Sequence, residues 1–257
     1  MNPYKYWGNS APDQGVPTTS LGVDALVEKV RFDTSMSEER DAIAAMRRSY
    51  GEAGIGDLPG DPIEAFHLWL KDAASNEYVI EANAMVLSTY GVNKYGNDEI
   101  SSRSVLLKDA TDSGFTFFTN YNSRKAQAIE LHSQVTLLFP WYPLERQVIV
   151  SGHASKISRE ESENYFAQRP WGSQIGAWAS VQSSPLTSRD ELEQRYEGAA
   201  AKWPEGTSVP CPPHWGGYLV VPTSIEFWQG RYSRLHDRLR YERPDSSANW
   251  EVNRYYP

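Results

Sequence analysis

Arginine, lysine and histidine residues form three basic clusters in a chain that is otherwise acidic. The formal net charge is -8, yet basic side chains concentrate in the segments SSRSVLLK, NSRKAQ and GRYSRLHDRLR. The acidic balance argues against a nucleic acid as the partner. Any one cluster is typical of solvated surface charge. An acidic chain that keeps several basic clusters could use them to bind a small anion.

The first cluster joins a predicted strand to a predicted helix. Strand alternation places Arg103 and Lys108 on opposite faces of RSVLLK, so they could serve different ligands. Arg124 and Lys125 begin a short helix, where free N–H groups and the helix dipole favour an anion. The pattern therefore predicts a phosphate site there, with ordinary helix-surface charge as the alternative.

A second set of candidate residues, outside these three basic segments, lies on and just after a helix predicted to begin near Ser158. Tyr165 and Arg169 are four residues apart and share a face of that helix. Ser173 comes just after Pro170, where we expect the helix to end. Two hydroxyls and a guanidinium could form a second phosphate clamp. A simple helix pair of Tyr165 and Arg169 is the alternative.

The third cluster is predicted to lie on a strand beside Trp228. Alternation would place Arg234, His236 and Arg238 on one face. Two arginines at that spacing repel each other, and a bound anion or a carboxylate would offset the repulsion. The same cationic field should lower the pKa of His236 and favour its neutral form.

Helices and strands that would position these residues can be assigned from periodicity and capping. Residues 1–40 predict an extended or loosely docked arm, and residues 41–257 predict one domain. A helix is predicted after Ser35 that carries Met46 to Arg48, and another after Asp61 and Pro62. Further helices are predicted at 123–131 and after the capping boxes of Ser158 with Glu161 and Ser188 with Glu191.

The strand predictions concentrate in the middle and at the end of the chain. They cover 84–90, 103–108, 115–119, 135–139, 146–157, 217–221, 224–228, 235–242 and 250–256. Closely spaced strands with few helical crossovers favour an antiparallel barrel with flanking helices over a parallel sheet.

Several classes of protein are disfavoured by what the sequence lacks. No GxGxxG turn follows a strand, which argues against a Rossmann nucleotide site. No HExxH, CxxC or paired-histidine spacing predicts a metal site. One cysteine, Cys211, permits no internal disulfide, and neither a signal peptide nor a membrane span is apparent. We therefore expect a cytoplasmic protein without a membrane partner.

Five motifs, in order, resemble the pyridoxine 5'-phosphate oxidase family. They are RSVLLK, FFTNYNSRKA, LLFPWYPLERQV, RPWGSQIGAWAS with QSS, and WGGY with EFWQGR and SRLHDR, and the resemblance runs from about Met46 to Pro257. It implies an antiparallel split β-barrel homodimer with flavin mononucleotide (FMN) at the subunit interface. It also implies oxidation of pyridoxine or pyridoxamine 5'-phosphate by O2 to pyridoxal 5'-phosphate, with release of hydrogen peroxide.

The resemblance also implies residue roles. The flavin would be held by Arg103, Ser104, Val105, Phe118, Thr119, Arg124, Lys125, Gln147, Gln182, Ser183, Trp228 and Arg238. The substrate phosphate would be held by Lys108, Tyr165, Arg169 and Ser173. Arg234 and His236 would be catalytic residues beside the reacting carbon, and Arg47 and Tyr50 would close over the substrate.

The chain departs from the family pattern at three places. Trp171 stands where a basic residue is common, Ala82 replaces a frequent proline, and the terminal RYYP replaces RLAP. Two other functions stay open: a different split-barrel flavin or deazaflavin reductase, and a carrier that binds flavin or a vitamin B6 phosphate without turnover. The reductase would not need the predicted phosphate clamp, and the carrier would not need Arg234 or His236.

Overall fold

The computed structural model describes residues 36–46 and 49–257. Helix α1, Met36–Ala45, belongs to a unit separate from the one formed by residues 49–257. Within the described residues, no helix has the length and apolar character needed to cross a membrane. The predicted boundary near residue 40 stays a prediction.

Within residues 49–257, five further helices flank a β-sheet. They are α2 (Pro62–Ala74), α3 (Arg124–Leu131), α4 (Arg159–Ala167), α5 (Trp171–Ala179) and α6 (Arg189–Lys202). The predicted start of α2 is confirmed, because the Asp61 carboxylate accepts hydrogen bonds from the amides of Ile63 (2.7 Å) and Glu64 (3.0 Å). The predicted capping box of Ser158 with Glu161 is likewise present at α4.

Six of the eight strands in the described part of the chain close into an antiparallel ring. The strands are β1 (Ala84–Val92), β2 (Asp98–Thr111), β3 (Gly114–Asn120), β4 (Gln134–Trp141), β5 (Arg146–Lys156), β6 (Trp215–Gln229), β7 (Asp237–Glu242) and β8 (Glu251–Tyr255). The order is β3-β2-β1-β4-β5-β6, and pairing of β3 with β6 closes the ring. Strands β7 and β8 extend the sheet from β6. The predicted antiparallel barrel with flanking helices is confirmed.

Strand β2 changes partner halfway along its length. Residues 98–106 pair with β1, and residues from 107 onward pair with β3 after an irregularity between Leu107 and Asp109. Within the described strands, the edge of residues 103–106 that faces away from β1 is therefore unpaired. The first basic cluster lies at this edge.

Aromatic and aliphatic side chains that alternate along the strands fill the ring. Phe115, Phe117, Leu137 and Phe139 are fully buried, and Phe66 of α2 packs against Phe115 and Phe139 with ring centroids 4.9 Å apart. A second core lies under α4, α5 and α6 and contains several tryptophans. This second core supports the helices that carry the predicted phosphate clamp.

Glycine permits the close approach of α3 to the sheet. A Cβ at Gly91 of β1 would lie 2.7 Å from the Cβ of Ala128, so a larger residue would push α3 outward. The N-cap Ser123 is fully buried beneath the first turn of this helix. Lys125 is thereby held at a fixed position beside the unpaired edge of β2.

Four local predictions are wrong, and each error has a physical cause. Helix α1 ends at Ala45, so it does not carry Met46, and Arg47 and Arg48 lie outside the described residues. The predicted strands 217–221 and 224–228 are one strand, because an irregularity in its pairing with β5 carries β6 past Pro222. The predicted helix ends before Pro170 as expected, but its last residue is Ala167. Arg169 therefore lies beyond the helix and does not share a helix face with Tyr165, because the chain turns into α5 at Pro170.

The fourth error concerns the third basic cluster. Arg234 ends a short 3-10 turn, and β7 begins only at Asp237, so Arg234, His236 and Arg238 do not alternate on one strand. The cause is a turn in which Ser233 (φ 53°) and Arg234 (φ 61°) both adopt the left-handed conformation. Strand propensity predicted a strand here because residue propensities do not detect a turn of this kind.

Candidate functional site

A cavity of about 750 Å³ opens between the unpaired edge of β2 and helices α4 and α5. Eleven of the residues singled out from the sequence line it: Arg103, Ser104, Val105, Lys108, Phe118, Thr119, Lys125, Tyr165, Arg169, Ser173 and Gln182. Arg103 and Lys108, predicted to serve different ligands, therefore face one cavity. Its volume lies within the ~300–1,000 Å³ typical of sites for small molecules and cofactors.

One wall of the cavity combines a guanidinium with two hydroxyls. Tyr165 comes from α4, Arg169 from the short connection between α4 and α5, and Ser173 from the first turn of α5. Arg169 Nη1 is buried and has no hydrogen-bond partner among the described residues. Burial lowers the pKa of the Arg169 guanidinium. A buried N–H group without an acceptor is costly, and an anionic oxygen bound at this wall would offset that cost.

Stacked aromatic rings support that wall. Phe118 stacks on Tyr165 with centroids 3.9 Å apart, and it stacks on Trp215 at 5.3 Å. The Arg169 guanidinium lies 4.6 Å from the centre of the Trp215 ring, within the range of a cation–π contact. Arg169 is therefore held from below, and its unpartnered nitrogen keeps a defined position.

A second cationic pair lies near the start of α3. Lys125 Nζ donates to Gln182 Oε1 at 3.0 Å and to Thr119 Oγ1 at 3.2 Å. Burial, and then the charge of Arg103, lowers the pKa of Lys125 to about 8. Arg103 is itself held by the carbonyl of Leu87 at 3.0 Å. Within the part of the chain that the structure describes, no carboxylate forms an ion pair with these half-buried cations, so a bound anion would relieve their repulsion.

Arg124 and Ser183 lie beside a neighbouring cavity rather than in the first one. That cavity also touches Gln182, so the two spaces adjoin. Arg124 forms an ion pair with Glu99. Ser183 has a φ of 72°, a left-handed conformation that is uncommon outside glycine and that clusters at ligand sites. Nine of the twelve predicted flavin residues thus line two adjoining cavities.

A further group of predicted residues lies at the far end of β6. The Trp228 and His236 rings have centroids 4.7 Å apart, and Tyr50 packs edge-on against them at 5.8 and 5.4 Å. Gln147 lies opposite Trp228 in the β5–β6 register, and Arg238 lies opposite it in the β6–β7 register. The residues of this group do not line the cavity of about 750 Å³.

The protonation state of His236 follows from its surroundings. The Arg231 amide donates to His236 Nδ1 at 3.1 Å, so the proton of the neutral ring lies on Nε2. Burial, and then the charge of Arg234, lowers the pKa of His236. The lowered pKa agrees with the expectation from the sequence, although burial is the larger cause. His236 therefore presents an Nε2–H donor at neutral pH.

Arg238 is fixed by a buried carboxylate. Its Nε and Nη2 each donate to Glu226 at 2.9 Å, and Arg240 Nη2 donates to the same carboxylate at 2.6 Å. The Glu226 side chain is only 7% exposed. Burial alone would raise its pKa, but hydrogen bonds from the two arginines outweigh that effect and hold the pKa below its usual value.

The cavity and the second group lie toward opposite ends of β6. Trp215 beside the cavity and Trp228 in the second group are thirteen residues apart on β6, up to about 40 Å at ~3.3 Å per residue. Arg47, expected to close over the substrate, lies outside the described residues. Tyr50 is described and lies with the second group.

Several residues of these sites were missed from the sequence. Trp215, Gln168 and Gly176 also line the cavity. A proline at the start of a helix is a known signal, and it could have indicated α5. Trp171 contacts the Trp203 carbonyl at 2.9 Å and the Tyr196 ring instead of lining the cavity.

The fold and the cavity define a split-barrel protein, and comparison with known proteins specifies the family. Residues 72–202 match the family model "Pyridoxamine 5'-phosphate oxidase", and residues 215–257 match "Pyridoxine 5'-phosphate oxidase C-terminal dimerisation region". The chain belongs to the pyridoxamine 5'-phosphate oxidase family.

The matched regions cover nearly the whole length of similar curated proteins. The pyridoxine/pyridoxamine 5'-phosphate oxidase of Streptomyces avermitilis is 47% identical over 85% of this chain and 99% of its own. The protein of that name from Prochlorococcus marinus is 48% identical over 84% of this chain and 96% of its own. The family therefore accounts for most of the chain.

Solved structures include a relative with a different ligand. PhzG from Burkholderia lata, in complex with tetrahydrophenazine-1-carboxylic acid, has a TM-score of 0.70 and is 30% identical, covering 79% of this chain and 96% of its own. A pyridoxamine 5'-phosphate oxidase-related, FMN-binding protein from Nostoc punctiforme has a TM-score of 0.60 at 15% identity, covering 77% and 98%. The second likeness supports the fold alone.

Proposed function

We propose that this protein is an FMN-dependent oxidase that converts pyridoxine or pyridoxamine 5'-phosphate into pyridoxal 5'-phosphate, with O2 as acceptor and hydrogen peroxide as co-product. The observation that carries the proposal is the buried, unpartnered Nη1 of Arg169 in a cavity that Lys108, Tyr165 and Ser173 also line. A substrate phosphate would satisfy this nitrogen with a charge-assisted hydrogen bond. The names of relatives at 47–48% identity support the same substrate class.

The donor set of the cavity fits FMN. Arg103 and Lys125 are half-buried cations with depressed pKa values, as expected where a phosphate would complete the site. Gln182 and Thr119 add a polar amide and a hydroxyl beside them. When bound, FMN would accept the hydride from the substrate and be reoxidised by O2.

We propose that each complete site forms between two copies of the chain. The second group supplies Trp228, Arg234, His236 and Arg238 from residues 215–257, the segment that matches the dimerisation region. Because that group and the cavity lie at opposite ends of β6, a homodimer would bring the cavity of one copy to the second group of the other. Gln147 and Tyr50 would accompany this group.

Within such a site the residues bind and orient the substrate. Clamping the phosphate at Arg169 and Lys108 would align the reacting carbon with the flavin, which converts binding energy into orientation. His236 would donate from Nε2 to the oxygen or amine on that carbon, and Arg234 would add positive charge beside it. Neither role requires His236 to take up a proton, in keeping with its lowered pKa.

The likeness to PhzG favours one alternative, oxidation of a tricyclic carboxylic acid. A carboxylate could also meet Arg169, so the phosphate must be tested directly. Oxygen uptake and peroxide release would be measured with FMN-loaded protein and four compounds: pyridoxine 5'-phosphate, pyridoxamine 5'-phosphate, unphosphorylated pyridoxine and a tetrahydrophenazine carboxylic acid. The proposal predicts turnover of the two phosphorylated compounds. Turnover of the tricyclic acid alone would replace the proposal, and bound flavin without any turnover would indicate a carrier.

Mixed dimers test the composite site. Arg169→Ala removes the clamp, and His236→Ala alters the second group. At a substrate concentration well below KM both variants should be impaired. If each site draws on two copies, dissociating and reassociating the two variants together should raise the activity above that of either variant alone. If each site lies within one chain, the mixture should be no more active than its components.

A further inference from the structure

We propose that Glu145 is a positioning residue that fastens residues 50–55, here called the strap, to residues 230–236, here called the substrate loop. The inference rests on the proposed function, which assigns Arg234 and His236 of the substrate loop to the substrate. Glu145 lies between the short turn Tyr142–Leu144 and β5, outside both segments. Its contribution is therefore to hold other residues in place rather than to touch the substrate.

Glu145 contacts both segments at once. Its side-chain Oε2 accepts a hydrogen bond from the Gly51 amide of the strap at 2.9 Å. Its main-chain carbonyl accepts one from the Gly230 amide of the substrate loop at 2.7 Å. Glu145 itself has a left-handed φ of 55°. In this conformation its side-chain oxygen faces the strap and its main-chain oxygen faces the substrate loop.

The strap and the substrate loop also bind each other directly. The Tyr232 amide donates to the Gly51 carbonyl at 3.0 Å, so Gly51 is held through both its N–H and its C=O. Further along the strap, the Ile55 amide donates to Asp237 Oδ2 at 3.1 Å. The strap is thus attached near one end to the substrate loop and at the other end to Asp237, the first residue of β7 and the neighbour of His236.

Tyr50 is the side chain that this attachment brings into the site. A Cβ at Gly230 would lie 2.8 Å from Tyr50 Cδ1, so only glycine leaves room for the ring at this distance. The ring packs edge-on against His236 and Trp228. Fastening Gly51 therefore fixes the adjacent Tyr50 as one wall around His236.

The backbone of the substrate loop needs such support. Ser233 and Arg234 are consecutive non-glycine residues in the left-handed conformation, with φ values of 53° and 61°. Strained conformations of this kind persist only where neighbouring contacts hold them. Tyr232 is bonded to the strap and Gly230 is bonded to Glu145. Both bonds come just before Ser233 and Arg234 in the sequence, so they hold the chain where it enters the turn.

Kinetics of three variants of the FMN-loaded full chain test the role of Glu145. Glu145→Ala removes the acceptor for Gly51, and we expect KM for pyridoxine 5'-phosphate to rise on the order of tenfold, as for loss of a hydrogen bond to a charged group. Flavin content should stay at the wild-type level. Glu145→Gln keeps a side-chain oxygen and should restore KM to within about twofold of the wild type. Glu52→Ala removes an exposed strap carboxylate and should behave as the wild type.

Hydrogen exchange keeps the inference testable if the wild type shows no turnover. Amides of Gly51 and of residues 230–236 should exchange on the order of tenfold faster in Glu145→Ala than in the wild type or in Glu145→Gln. Unchanged exchange would overturn the inference whatever the activity. Active wild type with an unchanged KM in Glu145→Ala, or Glu145→Gln as impaired as Glu145→Ala, would also overturn it. Absence of turnover in the wild type would contradict the proposed function alone.

Discussion

Replacing Arg169 by alanine should impair recognition of the substrate phosphate while leaving the flavin bound. Arg169 lies just after α4 with Nη1 buried and unpartnered among the described residues, whereas Lys125 and Arg103 lie near the start of α3 and on β2. The change therefore removes one donor wall of the cavity and spares the other. We expect KM to rise with little change in flavin content.

The magnitude follows from the type of bond that is lost. A hydrogen bond from a charged donor contributes ~1.5–3 kcal/mol, which corresponds to about a 10- to 150-fold rise in KM. The cation–π contact with Trp215, 4.6 Å away, is also lost. Its ~0.5–2 kcal/mol is offset in part by relief of the buried charge, so thermal stability should change little.

The assay is steady-state oxygen uptake over a range of pyridoxine 5'-phosphate concentrations, with flavin content read from the visible spectrum. Arg169→Lys keeps the charge but not the planar fork and should lie between alanine and the wild type. Arg189→Ala is the matched control, because its side chain is 66% exposed and its pair with Glu193 is a surface salt bridge. An unchanged KM in Arg169→Ala, or loss of flavin with KM retained, would refute the assignment of Arg169 to the substrate phosphate.

Three other predictions concern the cofactor, the second group and the strap. Lys125→Met should weaken FMN binding in a fluorescence titration, because it removes one of the two half-buried cations of the proposed cofactor site. The folded pKa of Lys125 is about 8, below its unfolded value. The wild-type apoprotein should gain stability relative to this variant as pH rises from about 8 to 10.5. Glu226→Ala should lower the free energy of unfolding in urea by about 3 kcal/mol because two arginines lose their buried carboxylate, whereas exposed Glu251→Ala should have little effect. Gly230→Ala should displace the Tyr50 ring and raise KM, and an unchanged KM would show that the ring is not a wall of the site.

Most strands could be predicted from sequence because their local patterns agree with the fold. Ala84–Val92 and Gly114–Asn120 are rich in β-branched and aromatic residues and are bounded by turn residues, so propensity and burial point the same way. Helix α2 was equally accessible, since Asp61 and Pro62 mark its start. Agreement between local preference and tertiary packing explains these successes.

The errors fall where tertiary contacts overrule local preference. The turn at Ser233 and Arg234 depends on bonds from the strap, more than 180 residues away in sequence, and no local pattern encodes them. Strand alternation assigned Arg103 and Lys108 to different faces, but the irregularity near Leu107 and the unpaired edge of β2 bring both to one cavity. Long-range pairing and bulges are properties of the folded sheet.

Site residues were easier to identify than to arrange. The motifs singled out both the cavity residues and the second group, yet only the structure shows that the two sets lie at opposite ends of β6. Glu145, at the end of a turn, and Glu226, on β6, escaped notice because acidic residues usually indicate solvent-exposed positions. Their roles depend on partners that are adjacent only after folding.

Anaerobic addition of pyridoxine 5'-phosphate to the FMN-loaded protein tests the central claim most directly. The proposed function predicts that the visible flavin band bleaches and that admission of air restores it. Such a result would establish both the substrate class and oxidase chemistry. A loaded flavin that stays yellow with pyridoxine and pyridoxamine 5'-phosphates alike would contradict the account.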